Sequence, residues 1–356
     1  MKQHRWLLFG LLAFGALLFF VNLGGYDLWP ADEPRFGEVA REMMQSGDYL
    51  APHVNGEPYK EKPPLLFWLI ATASAPFGDV TEFSARVPSA LAALVTVLCT
   101  FLLASRLYGP RVAFWSAVVL MTGLRFWWQA RTAQIDMVLT ACMSAALLSF
   151  WMWHTCKNRR WLVAFYAAIA LGVYAKGPAA IIFPLLMIFA FFWRKPAERR
   201  QIHWVLGTLA VVALIAIWLI PARMAVATGS GESLQSSIGS VVYRQMIGRF
   251  FMGVSKAQPP WYYATTIPVD LMPWTLLLPY TLPWVWRRRK EEGAMRLLLS
   301  WIVPALIFFS ICSGKRAIYI LPMFPVFAIL IARSVLDLTF GERTAWRKCT
   351  GMAWGL

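Results

Sequence analysis

ARVPSALAALVTVLCTFLLAS, residues 85–105, is the stretch that decides the class of this protein. It is long enough to cross a bilayer, because about 20 apolar residues of helix span the hydrocarbon and only a helix satisfies its own backbone there. Working outward, comparable runs fall near residues 5–23, 111–128, 136–155, 161–176, 178–193, 203–222, 269–286, 296–312 and 317–333, and another begins near Trp346. Composition agrees. The 356-residue chain is 59% apolar and 15% charged, with 19 Trp and a mean hydropathy of +0.54, which is membrane composition. The expected fold is an all-α polytopic membrane protein, one helical bundle over residues 1–356.

A net charge of +16 could suggest nucleic acid, but such proteins gather Lys and Arg on one face or tail. Here they sit in short clusters between apolar runs, as at Arg194-Lys195, Arg199-Arg200 and Arg287-Arg288-Arg289-Lys290, so no nucleic-acid partner is expected. With the basic N-terminus in the cytoplasm, alternate loops carry these clusters inside. About 13 of the 18 acidic residues then fall in outward loops. Both biases point the same way: a multi-pass protein with its N-terminus and basic loops in the cytoplasm and its acidic loops on the outward side. Residues 5–23 lack a small-residue cleavage site and read as a retained first helix. The five cysteines form no C-x-x-C pair, and the histidines no metal motif. The last residues, Met352 to Leu356, stop a few positions into what reads as a further helix, so a truncated sequence lacking a C-terminal domain is expected.

Two outward segments, residues 24–84 and 224–268, are much longer than the other hairpins, and long loops usually carry function. Within the first, Phe36, Val39, Ala40 and Met43 oppose Glu38, Arg41 and Glu42, as in a short amphipathic helix lying at the membrane surface. Pro63-Pro64 before Leu65 to Ala75 marks the start of a second, more apolar helix. Thr228-Gly229-Ser230-Gly231-Glu232 lacks a phosphate-loop ending and reads as a turn.

Chemistry-bearing residues gather on the outward side. In Trp29-Pro30-Ala31-Asp32-Glu33-Pro34-Arg35, two adjacent carboxylates near Arg35 suit a general base or a metal ligand; Asp32 as a helix cap is the structural alternative. Asn55 to Pro64 contains Glu61 and Lys62, and a lysine at the start of a surface helix can meet a lipid phosphate; the alternative is a solvated turn with snorkelling lysines. Arg131 and Asp136 flank a membrane boundary, either as an ion pair or as functional groups, and Lys176-Gly177-Pro178 carries the same ambiguity. The second long loop adds Tyr243-Arg244, Arg249, Lys256 and Pro260-Trp261-Tyr262-Tyr263, and an outward turn brings Lys315-Arg316 with Tyr319. Cations facing a few carboxylates make an anion-binding cavity with a candidate base.

Six of these motifs, in order and over nearly the whole chain, resemble the aminoarabinose transferases of lipid A. They are the Trp29–Arg35 run, Asn55 to Pro64, Arg131 to Asp136, Lys176-Gly177-Pro178, Pro260 to Tyr263, and Lys315-Arg316 with Tyr319 to Pro322. Those enzymes sit among the polyprenyl-phosphate-dependent GT-C glycosyltransferases, with the protein O-mannosyltransferases. The resemblance implies a GT-C transmembrane helical bundle with periplasmic juxtamembrane helices, often followed by a soluble outward domain. It implies transfer of a sugar, with inversion, from an undecaprenyl-phosphate carrier to an extracytoplasmic acceptor such as lipid A. By the same resemblance, Asp32 and Asp136 match the important acidic positions, Glu61 a metal-associated one, Lys62 a carrier-phosphate-associated one and Tyr319 a cavity tyrosine. Two departures stand out: Phe36 replaces a usual tyrosine, and Lys256 to Pro260 lacks the histidine that relatives use as a proposed metal ligand. A divalent metal thus rests on Glu61.

A leaving undecaprenyl phosphate carries negative charge, so help in the transition state comes from cations. Lys62 with Arg244 or Arg249 are the expected donors, and Arg35, Arg131, Lys315, Arg316 and Tyr319 the further substrate-binding residues. Asp32 is the first candidate base and Asp136 the second; an ionised lipid A phosphate would need none. The competing readings are transfer of another sugar to protein or glycan, and a transporter or flippase of the polyprenyl-linked sugar.

Overall fold

A computed structural model describes residues 2–29, 32–59, 61–230, 257–291 and 293–353. Helix α1 spans Lys2–Phe20 and leads into the first long loop. There α2 (Asp32–Ser46) and α3 (Leu65–Ser74) are the two expected surface helices. Phe36, Val39, Ala40 and Met43 are buried, as their spacing predicts, and Phe36 packs on Phe67 of α3 with ring centroids 5.8 Å apart.

Between them lies a hairpin the sequence reading treated as a turn: β1 (His53–Val54) pairs antiparallel with β2 (Glu57–Pro58). Its signal was present, because Asn55 and Gly56 both take positive φ, 54° and 76°, the geometry that favours Asn-Gly in two-residue turns. The Glu42 carboxylate of α2 accepts hydrogen bonds from the amides of Asn55 and Gly56 and so anchors the hairpin.

The bundle follows: α4 (Glu82–Tyr108), α5 (Pro110–Thr122), α6 (Leu124–Ala130), α7 (Ile135–Cys156), α8 (Arg159–Lys176), α9 (Ala179–Phe191), α10 (Pro196–Arg200), α11 (Trp204–Ser230), α12 (Tyr262–Asp270), α13 (Leu278–Arg288), α14 (Ala294–Ile311) and α15 (Phe324–Ala353). Helix α7 lies at its centre, packed on α4 and α8 and buried along most of its length. Thr81 and Ser84 form a reciprocal capping box at the start of α4. Thr81→Ala is expected to lower stability by about 1 kcal/mol, read as a drop in the detergent-solubilised melting temperature.

Five helical segments are long and apolar enough to cross a membrane among the described residues: 82–108, 135–156, 196–222, 294–311 and 317–339. The ten expected runs all fall on helical chain, but not as ten unbroken spans. Residues 111–128 divide at Gly123. Residues 269–286 break into the end of α12, a 3₁₀ segment (Trp274–Leu277) and α13, because Pro268, Pro273, Pro279 and Pro283 each remove a backbone donor. The run at 317–333 begins as a 3₁₀ turn (Ala317–Met323) and continues unbroken as α15 to Ala353, with no separate helix starting at Trp346.

Candidate active site

An open cavity sits where the N-terminal ends of α2, α7 and α9 meet the C-terminal end of α8. Its walls carry Asp32, Arg35, Glu61, Lys62, Asp136, Arg316 and Tyr319, all expected from sequence, together with Lys176. Residues from five separate stretches of chain therefore converge, with Phe36, Ile135, Leu139, Phe183 and Phe309 supplying an apolar side.

Asp32 begins α2. It lies 3.4 Å from Nη2 of Arg316 and 3.9 Å from Nη1 of Arg35, and Arg35 is 3.7 Å from Glu61. These pairs are partly exposed and loose, so Asp32 stays accessible to a ligand. Burial first, and Glu61 second, push the nearby Tyr59 phenol up to about 12, so it remains protonated. Asp136, in the first turn of α7, is held differently: its carboxylate is ion-paired with the Lys176 ammonium, which also lies 4.4 Å from the centroid of the Tyr319 ring. Asp136 is thus held in place by its partner, whereas Asp32 is left partly open to the cavity.

Beneath the cavity lies the pair that sets it. Arg86 and Glu33 have no exposed side-chain surface and bond through two contacts of 3.1 and 3.0 Å. Arg86 also donates to the carbonyls of Leu23, Tyr26 and Asp27 at 2.8 to 2.9 Å, and its guanidinium stacks 3.8 Å from the centroid of Tyr26. Glu33 accepts from the amides of Trp29 and Ala133. The pair thus ties the segment before Asp32 to the segment before Asp136. Sequence reasoning passed over Arg86, although a lone cation inside residues 85–105 is a signal by itself; Glu33, expected with Asp32 as one of two carboxylates for a base or metal ligand, is instead buried against Arg86.

Two expected substrate ligands do not line the cavity. Arg131 donates to the carbonyls of Leu18, Phe19, Val21 and Asn22 at 2.8 to 3.3 Å, closing the C-terminal end of α1 as a basic side chain can. Lys315 is buried, with its ammonium on the carbonyls of Cys312 and Gln258. Arg244 and Arg249 lie outside the described residues. No three His, Cys, Asp or Glu side chains among the described residues gather closely enough to hold a metal ion. Arg35 already places a cation between Asp32 and Glu61, so the donor set at Glu61 does not fit a divalent metal.

Residues 61–220 match the family described as dolichyl-phosphate-mannose-protein mannosyltransferase. The chain is 33% identical over 350 residues to the undecaprenyl phosphate-alpha-4-amino-4-deoxy-L-arabinose arabinosyl transferase of Edwardsiella ictaluri, covering 97% of this chain and 62% of that protein. A Pseudomonas fluorescens transferase of the same name is 32% identical, with 96% and 62% covered. The crystal structure of ArnT from Cupriavidus metallidurans bound to undecaprenyl phosphate superposes with a TM-score of 0.80 at 25% identity, covering 96% of this chain and 62% of that one. The Archaeoglobus fulgidus oligosaccharyltransferase shares the fold at a TM-score of 0.62 and 14% identity, with 97% and 52% covered. The chain spans about 62% of the length of its curated relatives. It is a multi-pass membrane protein with the GT-C fold, similar in sequence and structure to the undecaprenyl phosphate-aminoarabinose arabinosyl transferases.

Proposed function

We propose that the chain is an inverting glycosyltransferase that moves a sugar, 4-amino-4-deoxy-L-arabinose by analogy with its relatives, from undecaprenyl phosphate to a periplasmic acceptor such as lipid A. The observation that carries this is the convergence of Asp32, Lys62, Asp136 and Arg316 on one cavity with an apolar side. A lipid phosphate needs cations for its head and apolar surface for the first isoprene units, and the cavity offers both.

In the reaction, the bond from the sugar's anomeric carbon to the carrier phosphate breaks. Its electron pair leaves on the phosphate oxygen, where Lys62, with Arg35 or Arg316, stabilises the charge. The acceptor oxygen bonds to the same carbon from the opposite face, which inverts it. With a hydroxyl acceptor, Asp32 takes the proton; with a lipid A phosphate no proton moves, and Asp32 orients the cations around the nucleophile. Asp136 holds Lys176 against Tyr319 and shapes the wall. The basic loops on one side and acidic loops on the other support a cytoplasmic N-terminus and a cavity at the periplasmic face of an inner membrane.

The test supplies the purified protein in vesicles with radiolabelled undecaprenyl-phosphate sugar and total envelope lipid. Label is expected to pass to an envelope lipid only when both protein and acceptor are present. Label that crosses the vesicle membrane without acceptor, and never changes its lipid, would make the protein a transporter.

A further inference from the structure

The opposite end of the same helices carries a second arrangement that the transferase chemistry leaves unused. Helix α8 has 18 residues and so rises about 27 Å, close to the hydrocarbon thickness. With Lys176 at the cavity, its other end lies at the headgroup level of the far leaflet. Toward that end α8, α9 and α11 form a shallow, half-open groove lined by Phe165, Ile169, Ile181, Pro184, Leu185 and Val211 together with Tyr166 and Trp204. The lining is largely apolar, and the Tyr166 and Thr208 hydroxyls donate locally, Tyr166 to the Ile202 carbonyl at 2.8 Å and Thr208 to that of Trp204 at 2.8 Å.

The rim of this groove is basic. The end of α10 and the tight turn after it carry Arg199, Arg200 and His203, with the amides of Ile202 and His203 bonded back to the carbonyls of Arg199 and Arg200. Ile202, inside that turn, is the residue Tyr166 fastens to the groove. Arg199 lies 4.6 Å from the centroid of Phe189, whose ring is 5.6 Å from that of Trp204. Arg200 and His203 are exposed, as are Arg159 and Arg160 at the start of α8. The acidic residue of α10, Glu198, is 3.4 Å from Lys195.

We infer that this groove and its rim bind one anionic phospholipid of the inner leaflet, with an acyl chain between α8, α9 and α11 and the phosphate on Arg199 and Arg200. Cationic side chains near a membrane surface attract anionic headgroups individually, and basic pockets between helices hold them specifically. What sets this cluster apart from the other basic loops is the apolar groove that opens directly beneath it.

Native mass spectrometry of the full chain titrated with phosphatidylglycerol, and with phosphatidylcholine of the same acyl chains, tests the assignment. Wild-type protein is expected to retain phosphatidylglycerol preferentially. Arg199→Gln with Arg200→Gln should cut that preference roughly ten-fold, and Thr208→Trp, which fills the groove, should weaken both lipids. Arg287→Gln with Lys290→Gln removes as much charge from another exposed basic loop and should leave the preference unchanged. An equal loss in that second pair would reduce the effect to general surface charge and overturn the site. Displacement of phosphatidylglycerol from the wild type by undecaprenyl phosphate would overturn it in favour of the carrier's own tail.

Discussion

Arg86→Met is expected to give a protein that is destabilised by about 3 to 5 kcal/mol and has no transferase activity. The substitution matches the side chain's apolar length and removes its charge, so Glu33 is left fully buried and without its cation. Breaking a buried pair from one side costs about that much, because the remaining charge cannot reach water. Three main-chain carbonyls, of Leu23, Tyr26 and Asp27, lose their donor at the same time. A thermal melt of the solubilised protein measures the first effect, and labelled-sugar transfer the second. Glu33→Gln is the milder partner variant: its amide oxygen can still accept from Trp29 or Ala133, and Arg86 keeps the carbonyls of Leu23, Tyr26 and Asp27 as acceptors. A melting temperature for Arg86→Met equal to that of the wild type would show that the pair does not hold the two loops.

Asp32→Asn is expected to lower transfer at least about 100-fold while leaving the fold intact, the usual range for loss of a general base. Its carboxylate is partly exposed and meets Arg316 and Arg35 at 3.4 and 3.9 Å, contacts too loose and too wet to matter much for stability. The same change at Asp136 should differ in kind. Asp136→Asn frees the Lys176 ammonium from its ion pair, so it should disturb the shape of the wall and the fold as well as the rate. Transfer rates read beside melting temperatures separate the two carboxylates: Asp32 costs rate with little stability, Asp136 costs both. Full activity in Asp32→Asn would remove Asp32 from the chemistry.

Much of this was legible in the sequence, for identifiable reasons. Apolar run length revealed the helices because hydrocarbon admits hardly anything else, and the amphipathic spacing of Phe36, Val39, Ala40 and Met43 gave the buried face of α2. The cavity residues Asp32, Lys62, Asp136, Arg316 and Tyr319 were legible because each sits at or beside a helix end, in motifs that resemble those of the aminoarabinose transferases. Helix continuity was harder. Whether residues 269–286 form one span or several pieces depends on how four prolines are accommodated by neighbouring helices, which no run length reports. The roles of Arg131 and Lys315 were hidden for a related reason. Both look like substrate ligands by type and place, but the carbonyls that occupy them belong to segments 110 residues away in one case and 57 in the other. Arg86 was missed in the opposite sense, since a single charge in a long apolar run is easily averaged away.

The account depends on the cavity holding the phosphate of a polyprenyl carrier, and binding tests that more directly than turnover. Undecaprenyl phosphate titrated into the purified full chain should raise the melting temperature of wild-type and Asp32→Asn protein alike. For Lys62→Ala the concentration needed should rise about ten-fold or more, in line with the loss of one charge-assisted contact to phosphate. Identical titration curves for wild type and Lys62→Ala would mean that the carrier's head lies elsewhere, and the transferase site with it.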